Sequence, residues 1–488
     1  MANPASATKR SIYWYDYETF GTDPKRDRPV QFAGIRTDED LNIIGEPLML
    51  FCRPANDMLP HPEACLVTGI TPQQALLEGY PEAKFIADIN REFAQPGTCV
   101  AGYNNIRFDD EFTRYTLYRN FFDPYAREWQ HGNSRWDIID MVRLTRALRP
   151  EGITWPNHDD GSPSYRLEDI TAANGLSHEA AHDALSDVYA TIAVAALIRK
   201  EQPRLYDYIY RLRGKHEVAK LLNVRTMEPV LHVSSMFPSQ FGCLAMVVPL
   251  ALHPTNKNGI IVYDLRHDPE PLLSLCPEEI RHRLYTPRDQ LPEGVERIPL
   301  KTVHLNKCPI VVPMNTLSPQ AAERWQIDVA LGHAYAEKLK AAANLSKKLH
   351  NVFGEHPFEA DFDPDHSLYS GGFFSDEDRR RMERVRSLPA TKLPELDFRF
   401  DDPRLPEMLF RYRARNYPDT LNEEERIRWE EYRLARLTRS DGGGSITLDQ
   451  YLTRIQELRD DPTLTEAQRT VLDRLQAYGH ELVPDNGD

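Results

Sequence analysis

The sequence predicts an α/β domain followed by a small β domain and a helical domain. Strand-like and helical segments alternate from residue 11 to about residue 200, short β-type runs follow, and helical patterns dominate from Ile327 onward. With 488 residues and 41% hydrophobic content, the chain is long enough for about three domains of roughly 150 residues. We place the domains at residues 1–201, 202–355 and 356–488.

The alternation of elements in the first domain is typical of an α/β fold. The strand-like runs are rich in β-branched and aromatic residues and lie at Ser11–Tyr17, Val30–Thr37, Glu46–Cys52 and Thr98–Tyr103. The helical patterns lie at Tyr80–Phe93, Asp109–Arg119, Ile138–Leu148, Leu167–Asn174 and Ala184–Arg199.

A change of pattern along the chain predicts the other two domains. Gln202–His216 reads as a linking helix, and the short strands after it favour a small barrel or sheet. The helical pattern beyond Ile327 is broken at Pro357–Pro364 and Leu388–Pro406. The short strands lie at Glu228–Ser234, Cys243–Leu250, Gly259–Leu265 and Thr302–Asn306, and two charged helices lie at Glu423–Leu437 and Leu448–Arg459.

Composition excludes several classes of protein. Nothing near Met1 resembles a signal peptide, and no run of about 18 apolar residues occurs, so we expect a soluble, cytoplasmic protein with no membrane partner. We also expect a monomer. The six cysteines lie far apart and lack zinc-ligand spacing, so we expect reduced, buried thiols.

The charge pattern limits how nucleic acid can bind. A formal net charge of −15 argues against a surface that is basic throughout, so a nucleic acid would need a local groove. Residues 107–149 contain eight arginines interleaved with tyrosine and tryptophan. This mixture suits single strands, because rings stack on unpaired bases at about 1–3 kcal/mol per base. Solvated arginines on amphipathic helices explain the composition equally well.

Two carboxylates converge on the first predicted strand, at Asp16 and Glu18. Residues i and i+2 of a strand point to the same face, roughly 7 Å apart along the chain. Two acidic groups on an otherwise apolar strand cost free energy unless a cation compensates, and Mg²⁺ prefers such oxygen ligands. The D-x-E tripeptide is common, so it indicates function only in combination with other motifs.

A further carboxylate, Asp109, follows a predicted strand and turn. Ligand sites in α/β folds form at the carboxyl ends of strands, and Phe108 is expected to anchor the turn that leaves Asp109 there. Asp110 and Glu111 have a simpler explanation, because acidic residues complement the dipole at a helix N-terminus.

His182 and Asp187 stand at the entrance to the last helix of the first domain. Five helical residues amount to about 140° of rotation, so both side chains cannot face one metal if both residues are helical. We therefore expect His182 in the loop or first turn that enters the helix. Asp187 has apolar neighbours such as Val188 and Ile192, which argues against a merely solvated role.

Together these residues meet the needs of two-metal phosphodiester hydrolysis. In that chemistry two ions about 3.5–4 Å apart activate a water and stabilise the leaving oxygen. A neutral histidine beside the attacking water can accept its proton. We predict His182 as the general base, and as ligands of two Mg²⁺ ions, which Mn²⁺ can replace, Asp16, Glu18, Asp109 and Asp187.

At these motifs the sequence resembles the DEDDh 3′→5′ exonuclease family, whose signatures are a D-x-E strand, an N-x-x-F-D turn and an H-x(4)-D helix. Asp183, four residues before Asp187, indicates the histidine form rather than the tyrosine form. The signatures stand here as Asp16/Glu18, Asn105–Asp109 and His182/Asp187. Segments along nearly the entire chain are similar to the bacterial exonuclease I branch of that family, among them Gly102–Glu111, Asn133–Asp137, His304–Pro309, Gly372–Asp376 and Phe410–Asn416.

The resemblance implies an RNase H-like exonuclease domain, an SH3-like barrel domain and a helical domain that form a C-shaped clamp around one strand. It also implies processive 3′→5′ digestion of single-stranded DNA to 5′-mononucleotides, in DNA repair. Arg166 is then expected to contact the terminal nucleotide or its phosphate, and Glu18 is expected to bind the substrate as well as the metal. Arg149 and Tyr208 are expected to bind the acidic C-terminal tail of the single-strand binding protein. The expected contacts for the strand are Arg114, Tyr125, Trp129, Arg143, Tyr369 and Phe373.

Other interpretations stay open. The same chemistry can act on RNA, although the two additional domains favour DNA. A clamp that has lost nuclease activity would bind strands without cleaving them, but such a protein should have replaced at least one of the five catalytic residues, and all five are present. Arg166 has an alternative role as an ion-pair partner of Glu168 or Asp169. For Tyr125 and Trp129 the alternative role is that of ordinary core rings. For Arg143 and Arg149 it is that of solvated helix ends.

Overall fold

Two compact units make up the protein. The computed structural model describes residues 10–177, 183–354 and 362–483. The first unit contains the described residues within Met1–Ser134, Glu179–Tyr189 and Phe358–Asp488, and the second contains those within Arg135–His178 and Ala190–Pro357. Each unit is therefore assembled from segments that lie far apart in the sequence.

The first sheet has five strands: β1 (Ser11–Thr19), β2 (Pro29–Thr37), β3 (Ile43–Phe51), β4 (Thr98–Gly102) and β5 (Ser134–Asp137). Their order is β3-β2-β1-β4-β5, and β1 pairs antiparallel with β2 and parallel with β4. All residues of β1 except Asp16 are buried. Aromatic and β-branched residues suit such a central strand, because both of its faces are covered.

Seven α-helices lie in the described part of residues 10–201. Proline occupies the first turn of the first two, and Gly69, with a φ of 73°, ends the first in the left-handed conformation that glycine adopts without strain. The helices are α1 (Pro62–Thr68), α2 (Pro72–Glu78), α3 (Glu82–Phe93), α4 (Asp109–Arg119), α5 (Ile139–Leu148), α6 (Leu167–Ala173) and α7 (Ala184–Glu201).

The second sheet lies in the second unit, where β6 (Val230–Val233), β7 (Leu244–Leu252), β8 (Gly259–Asp264), β9 (Leu300–His304) and β10 (Ile310–Pro313) follow the order β10-β6-β7-β8-β9. All of its pairings are antiparallel. Leu212 and Val218 share its core with Val247 and Val262. The helices of this region are α8 (Pro203–Leu212), α9 (Lys215–Leu221), α10 (Glu270–Ser274), α11 (Pro277–Tyr285), α12 (Pro319–Arg324), α13 (Val329–Ala341) and α14 (Leu345–Val352).

Helices from the C-terminal segment complete the first unit. Tyr115 and Tyr118 of α4 share one buried cluster with Met382 and Leu405, so α4 is covered by this segment as well as by the sheet. Such burial on two sides explains why α4 has no clear polar face. The helices are α15 (Asp376–Ser387), α16 (Arg404–Asn416), α17 (Glu423–Thr438), α18 (Leu448–Arg459) and α19 (Glu466–Leu482).

The predicted fold class is confirmed, with local differences. The predicted linking helix Gln202–His216 is wrong as a single element, because it is divided into α8 and α9 at Arg213–Gly214. The four-residue strands β5 and β10 are not among the predicted strands. Within the described ranges, no helix has both the length and the apolar character that crossing a membrane requires.

Candidate active site

Strand β1 carries Asp16 and Glu18 on the face opposite its tyrosines. Tyr15 and Tyr17 pack into an aromatic cluster with Phe93. Because neighbouring residues of a strand point to opposite faces, the same packing directs both carboxylates to the other side. The predicted pairing of the two acidic side chains follows from this geometry.

Asp109 stands at the first position of α4, after a tight turn that follows β4. Asn104 in that turn has a φ of 62°. The Phe108 ring packs against that of Phe112 with centroids 4.9 Å apart, in line with its predicted anchoring role. Oδ1 of the buried Asp109 accepts a hydrogen bond from the Tyr17 N–H at 3.2 Å, which ties the start of α4 to β1.

Asp187 brings a further carboxylate to the site from the first turn of α7. Its backbone N–H donates to the Asp183 carbonyl at 3.1 Å. One carboxylate oxygen from each of Asp16, Glu18 and Asp187 lies within 4.8 Å of the other two. Three side chains from two elements therefore converge closely enough to ligate one metal ion.

The carboxylates of this group destabilise one another's charge. Burial, followed by the charges of Asp109, Glu18 and Asp187, raises the pKa of Asp16 well above its usual range. Burial, followed by the charges of Asp187, Asp109 and Asp183, raises the pKa of Glu18 to about 8. Asp109 lies outside the three-carboxylate group, yet it acts electrostatically on both strand residues.

This donor set fits a divalent cation. Among the described residues, the ligands that converge are all carboxylate oxygens, which favours a hard cation over the soft metals that bind thiolates. Burying several carboxylates together costs free energy unless a positive charge compensates them. The predicted general base, His182, lies outside the described residues, so its role stays a prediction.

Arg114, a predicted strand contact, is buried and held by two glutamates. Its Nε and Nη2 donate to Glu128 at 2.8 and 3.0 Å, and its Nη1 donates to Glu111 at 2.8 Å. Nη1 also donates to the Tyr369 hydroxyl at 3.0 Å, and the guanidinium lies 5.4 Å from the Tyr125 ring centroid. Arg114 thus joins two other predicted strand contacts instead of presenting an open cation.

Three of the predicted aromatic contacts are open to solvent. Phe373 is 83% exposed, Trp129 is 66% exposed and Tyr369 is 54% exposed. The Phe373 ring meets that of the half-buried Tyr125 edge-on, with centroids 6.1 Å apart. Exposed rings held in place by neighbours are suited to stacking on unpaired bases.

The other predicted binding residues lie in the second unit. Arg166 precedes α6, is largely exposed and pairs with Glu168, as the alternative interpretation expected. Arg143 is buried and donates to Asp140 at 2.6 Å. Arg149 donates to the Thr316 carbonyl at 3.1 Å, and the Tyr208 hydroxyl donates to the Val311 carbonyl at 3.3 Å.

Asp110, for which the sequence predicts only an interaction with the helix dipole, has a further role in the structure. Asp110 is fully buried and forms an ion pair with the equally buried Arg127, with Oδ1 and Nη2 2.6 Å apart. A carboxylate at the first turn of a predicted helix with an arginine 17 residues further on is a weak sequence signal, because only the tertiary fold brings the two together.

Fold and site together define a metal-dependent exonuclease. The family model described as Exonuclease matches residues 13–195. The models for the exonuclease I SH3-like domain and the exonuclease I C-terminal domain match residues 213–355 and 362–482. Exodeoxyribonuclease I of Haemophilus influenzae is 48% identical over 475 residues, which cover 97% of this chain and 99% of that protein. The chain therefore belongs to the exodeoxyribonuclease I family, and the predicted resemblance is confirmed.

Solved structures agree with this assignment. Exonuclease I from Methylocaldum szegediense is 56% identical, with a TM-score of 0.94 over 97% of this chain and 100% of that one. Escherichia coli exonuclease I in complex with a dA16 oligonucleotide is 46% identical, with the same TM-score and coverage. A complex of exonuclease I with SSB-Ct is 45% identical, with a TM-score of 0.91 and the same coverage.

Proposed function

We propose that this protein digests single-stranded DNA processively from its 3′ end, releases 5′-mononucleotides and acts in DNA repair. The observation that carries the proposal is the convergence of Asp16, Glu18 and Asp187 within 4.8 Å, beside Asp109. Support for the substrate comes from the Escherichia coli relative, which was solved with a dA16 oligonucleotide. The protein acts in the cytoplasm as a monomer.

Asp16, Glu18, Asp109 and Asp187 would hold two Mg²⁺ ions, and Mn²⁺ can replace them. When bound, such ions polarise the phosphodiester and lower the pKa of a water molecule. The raised pKa values of Asp16 and Glu18 support this role, because a bound cation would stabilise the charged carboxylates that burial and repulsion disfavour. Glu18 is also proposed to bind the substrate.

His182 is proposed to accept the proton of the attacking water. Its place in the sequence, two residues before α7 begins at Ala184, supports this role, because Asp187 lies in the first turn of the same helix. An imidazole titrates near neutral pH, so its neutral form is available as a base while the carboxylates serve as ligands.

Strand binding is proposed to use both charge and stacking. Trp129, Tyr369 and Phe373 offer exposed rings for unpaired bases. Arg166 has an exposed guanidinium for the terminal nucleotide, and Glu168 would compete with the phosphate for it. Arg114, Tyr125 and Arg143 complete the proposed contact set, and the contacts of Arg114 support an indirect role through Tyr125 and Tyr369.

We further propose that the protein binds the C-terminal tail of the single-strand binding protein through Arg149 and Tyr208. The solved complex of a relative with SSB-Ct supports this partner. Both residues lie in the second unit, and the hydrogen bonds of each to backbone carbonyls would hold the side chains in place. The proposed domain boundaries remain residues 201/202 and 355/356.

End-labelled oligonucleotides test this proposal. With Mg²⁺ and a 5′ label, a 3′→5′ enzyme produces a ladder of strands that shorten by one nucleotide, whereas a 3′ label is released at once as a mononucleotide. Asp16→Asn is expected to abolish both signals, and Asp88→Asn on α3 serves as a matched control. Release of mononucleotides from the 5′ end, or faster digestion of an RNA strand of the same sequence, would contradict the proposal.

A further inference from the structure

A buried ion pair joins Arg127 to Asp110, the residue that follows the site carboxylate Asp109 in the chain. Asp110 and Arg127 have no exposed side-chain surface, and Nη2 of Arg127 lies 2.6 Å from Oδ1 of Asp110. The guanidinium also lies 5.0 Å from the ring centroid of Phe93. Among the described residues, Nε and Nη1 of Arg127 have no hydrogen-bond partner. Burial of an arginine with so few polar contacts is costly, so its carboxylate partner has a large effect on where it lies.

The hydroxyl of Tyr15 connects this pair to strand β1. It donates a hydrogen bond at 2.9 Å to Oδ1 of Asp110, the oxygen that also accepts from Arg127. Nδ2 of Asn105, in the turn before α4, lies 3.4 Å from the same hydroxyl. One carboxylate oxygen therefore joins the strand, the helix start and the short 3₁₀ helix Ala126–Glu128 that contains Arg127.

The two residues that meet here are chain neighbours of proposed metal ligands. Tyr15 precedes Asp16 on β1, and Asp110 follows Asp109 on α4. The Tyr15–Asp110 bond and the Tyr17–Asp109 bond thus connect the same strand to the same helix turn. Without a metal, repulsion among the site carboxylates would push these two elements apart, and the two hydrogen bonds would oppose that motion.

We propose that Tyr15, Asp110 and Arg127 form a positioning triad that sets the metal affinity of the carboxylate site. None of the three belongs to the group of converging carboxylates in the described residues. They fix the spacing of Asp16 and Asp109 from behind, and Arg127 neutralises Asp110 so that it does not add another negative charge. Residues that orient metal ligands in this way typically change metal affinity about 10- to 100-fold when they are replaced. The inference rests on the proposed function, because it takes the four carboxylates to be metal ligands.

Two variants test the triad without changing the net charge of the protein. Tyr15→Phe removes one hydroxyl group, and the double variant Asp110→Asn/Arg127→Met removes the ion pair as a whole. Because neither changes the net charge, a change in metal affinity would report geometry. Tyr118→Phe is the matched control, since it removes another buried hydroxyl from the first unit, one that donates to the Pro364 carbonyl at 2.9 Å.

The readout is Mn²⁺ binding to the folded protein without DNA, measured by isothermal titration calorimetry. We expect the dissociation constant to rise about threefold in Tyr15→Phe, about tenfold or more in the double variant and less than twofold in Tyr118→Phe. The Mg²⁺ concentration for half-maximal nucleotide release should rise in parallel, while affinity for single strands in EDTA stays unchanged. If the double variant does not fold, the Mn²⁺ affinity of Tyr15→Phe alone tests the proposal.

The experiment distinguishes a failure of the proposed metal site from a failure of the proposed triad. Wild-type protein that fails to bind Mn²⁺ would overturn the proposed metal site itself. Wild-type protein that binds Mn²⁺, with Tyr15→Phe and every folded form of the double variant within twofold of it, would overturn the triad alone. If the double variant loses stability but keeps its metal affinity, the ion pair stabilises the fold and does not set metal affinity, which would contradict the proposal.

Discussion

The Tyr17 N–H donates a hydrogen bond to Oδ1 of Asp109, at 3.2 Å. Because Tyr17 stands between Asp16 and Glu18 on β1, this bond holds the start of α4 beside both strand carboxylates. Asp187 reaches the same place from α7. The site is therefore built by three separate elements whose acidic side chains repel one another, and its stability depends on what compensates that charge.

Divalent metal should stabilise the protein through these carboxylates. A ligand that binds only the folded state raises the melting temperature. We expect Mg²⁺ to raise the melting temperature of the wild type and to have little effect on Asp187→Asn. In EDTA the variant should melt no lower than the wild type, because one repelling charge is gone. Differential scanning fluorimetry measures both effects.

Asp183→Asn is the matched control for this prediction, because Asp183 raises the pKa of Glu18 without belonging to the proposed ligand set. It should keep most of the response to Mg²⁺. Equal responses in Asp187→Asn and the wild type would contradict the prediction.

The exposed rings should contribute to strand binding more than to chemistry. Stacking is worth about 1–3 kcal/mol per base, so Phe373→Ala and Tyr369→Ala should each raise KM for a single strand by roughly tenfold. The kcat at saturating strand should change less than threefold. Ile427→Ala, which removes an exposed apolar side chain from α17, is the control. Unchanged KM in both ring variants would rule out stacking at these positions.

Arg149 should act on the partner and not on the substrate. Hydrogen bonds to charged groups contribute about 1.5–3 kcal/mol, so Arg149→Ala should weaken binding of an acidic C-terminal peptide of the single-strand binding protein by about tenfold or more. Digestion of a naked oligonucleotide should stay within twofold of the wild type. Fluorescence anisotropy with a labelled peptide measures the affinity, and Arg166→Ala is the control. Peptide affinity that Arg149→Ala does not change would contradict this assignment.

A buried charge network should make the first unit sensitive to acid. Burial alone would raise the pKa of Asp57. The positive charges of Arg415 and Arg436 have a larger, opposite effect and hold this pKa below its usual range. Nη2 of Arg415 lies 2.8 Å from Oδ2 of Asp57. A group whose pKa is lowered on folding contributes stability above its unfolded pKa of about 3.9, and this contribution is lost as the pH falls further.

The melting temperature should therefore fall below about pH 4, as the lowered pKa of Asp57 requires. Asp57→Asn should melt well below the wild type at pH 7, because it leaves buried arginines without their partner, and the difference should shrink at pH 3. Asp397→Asn, which breaks an exposed pair with Arg399, should have little effect at either pH. A difference that does not depend on pH would contradict the role of Asp57.

Local patterns predicted the elements that carry the site. The predicted helix Asp109–Arg119 has the bounds of α4, and α7 begins at Ala184 as expected. Period-two alternation placed Asp16 and Glu18 on one face, because the strand is long and its other face is filled by tyrosines. Helix bounds and the face of a strand on which a side chain lies depend on residues that are close in sequence. They can therefore be predicted from a single sequence.

Contacts between residues that lie far apart in the chain could not be predicted from the sequence. Arg114 was predicted to bind the strand, yet its partner Tyr369 lies 255 residues away and Glu128 is brought to it only by a turn. The Asp110–Arg127 pair was missed for the same reason. Pairing of buried charges is set by how elements pack, and periodicity carries no information about it.

An anomalous difference map tests the proposed two-metal site, with crystals soaked in Mn²⁺ and data collected at the manganese absorption edge. We expect two peaks about 3.5–4 Å apart, ligated by Asp16, Glu18, Asp109 and Asp187. The same soak of Asp187→Asn should lose at least one of them. A map of the wild type with no peak at these carboxylates, or with manganese bound elsewhere alone, would contradict the account.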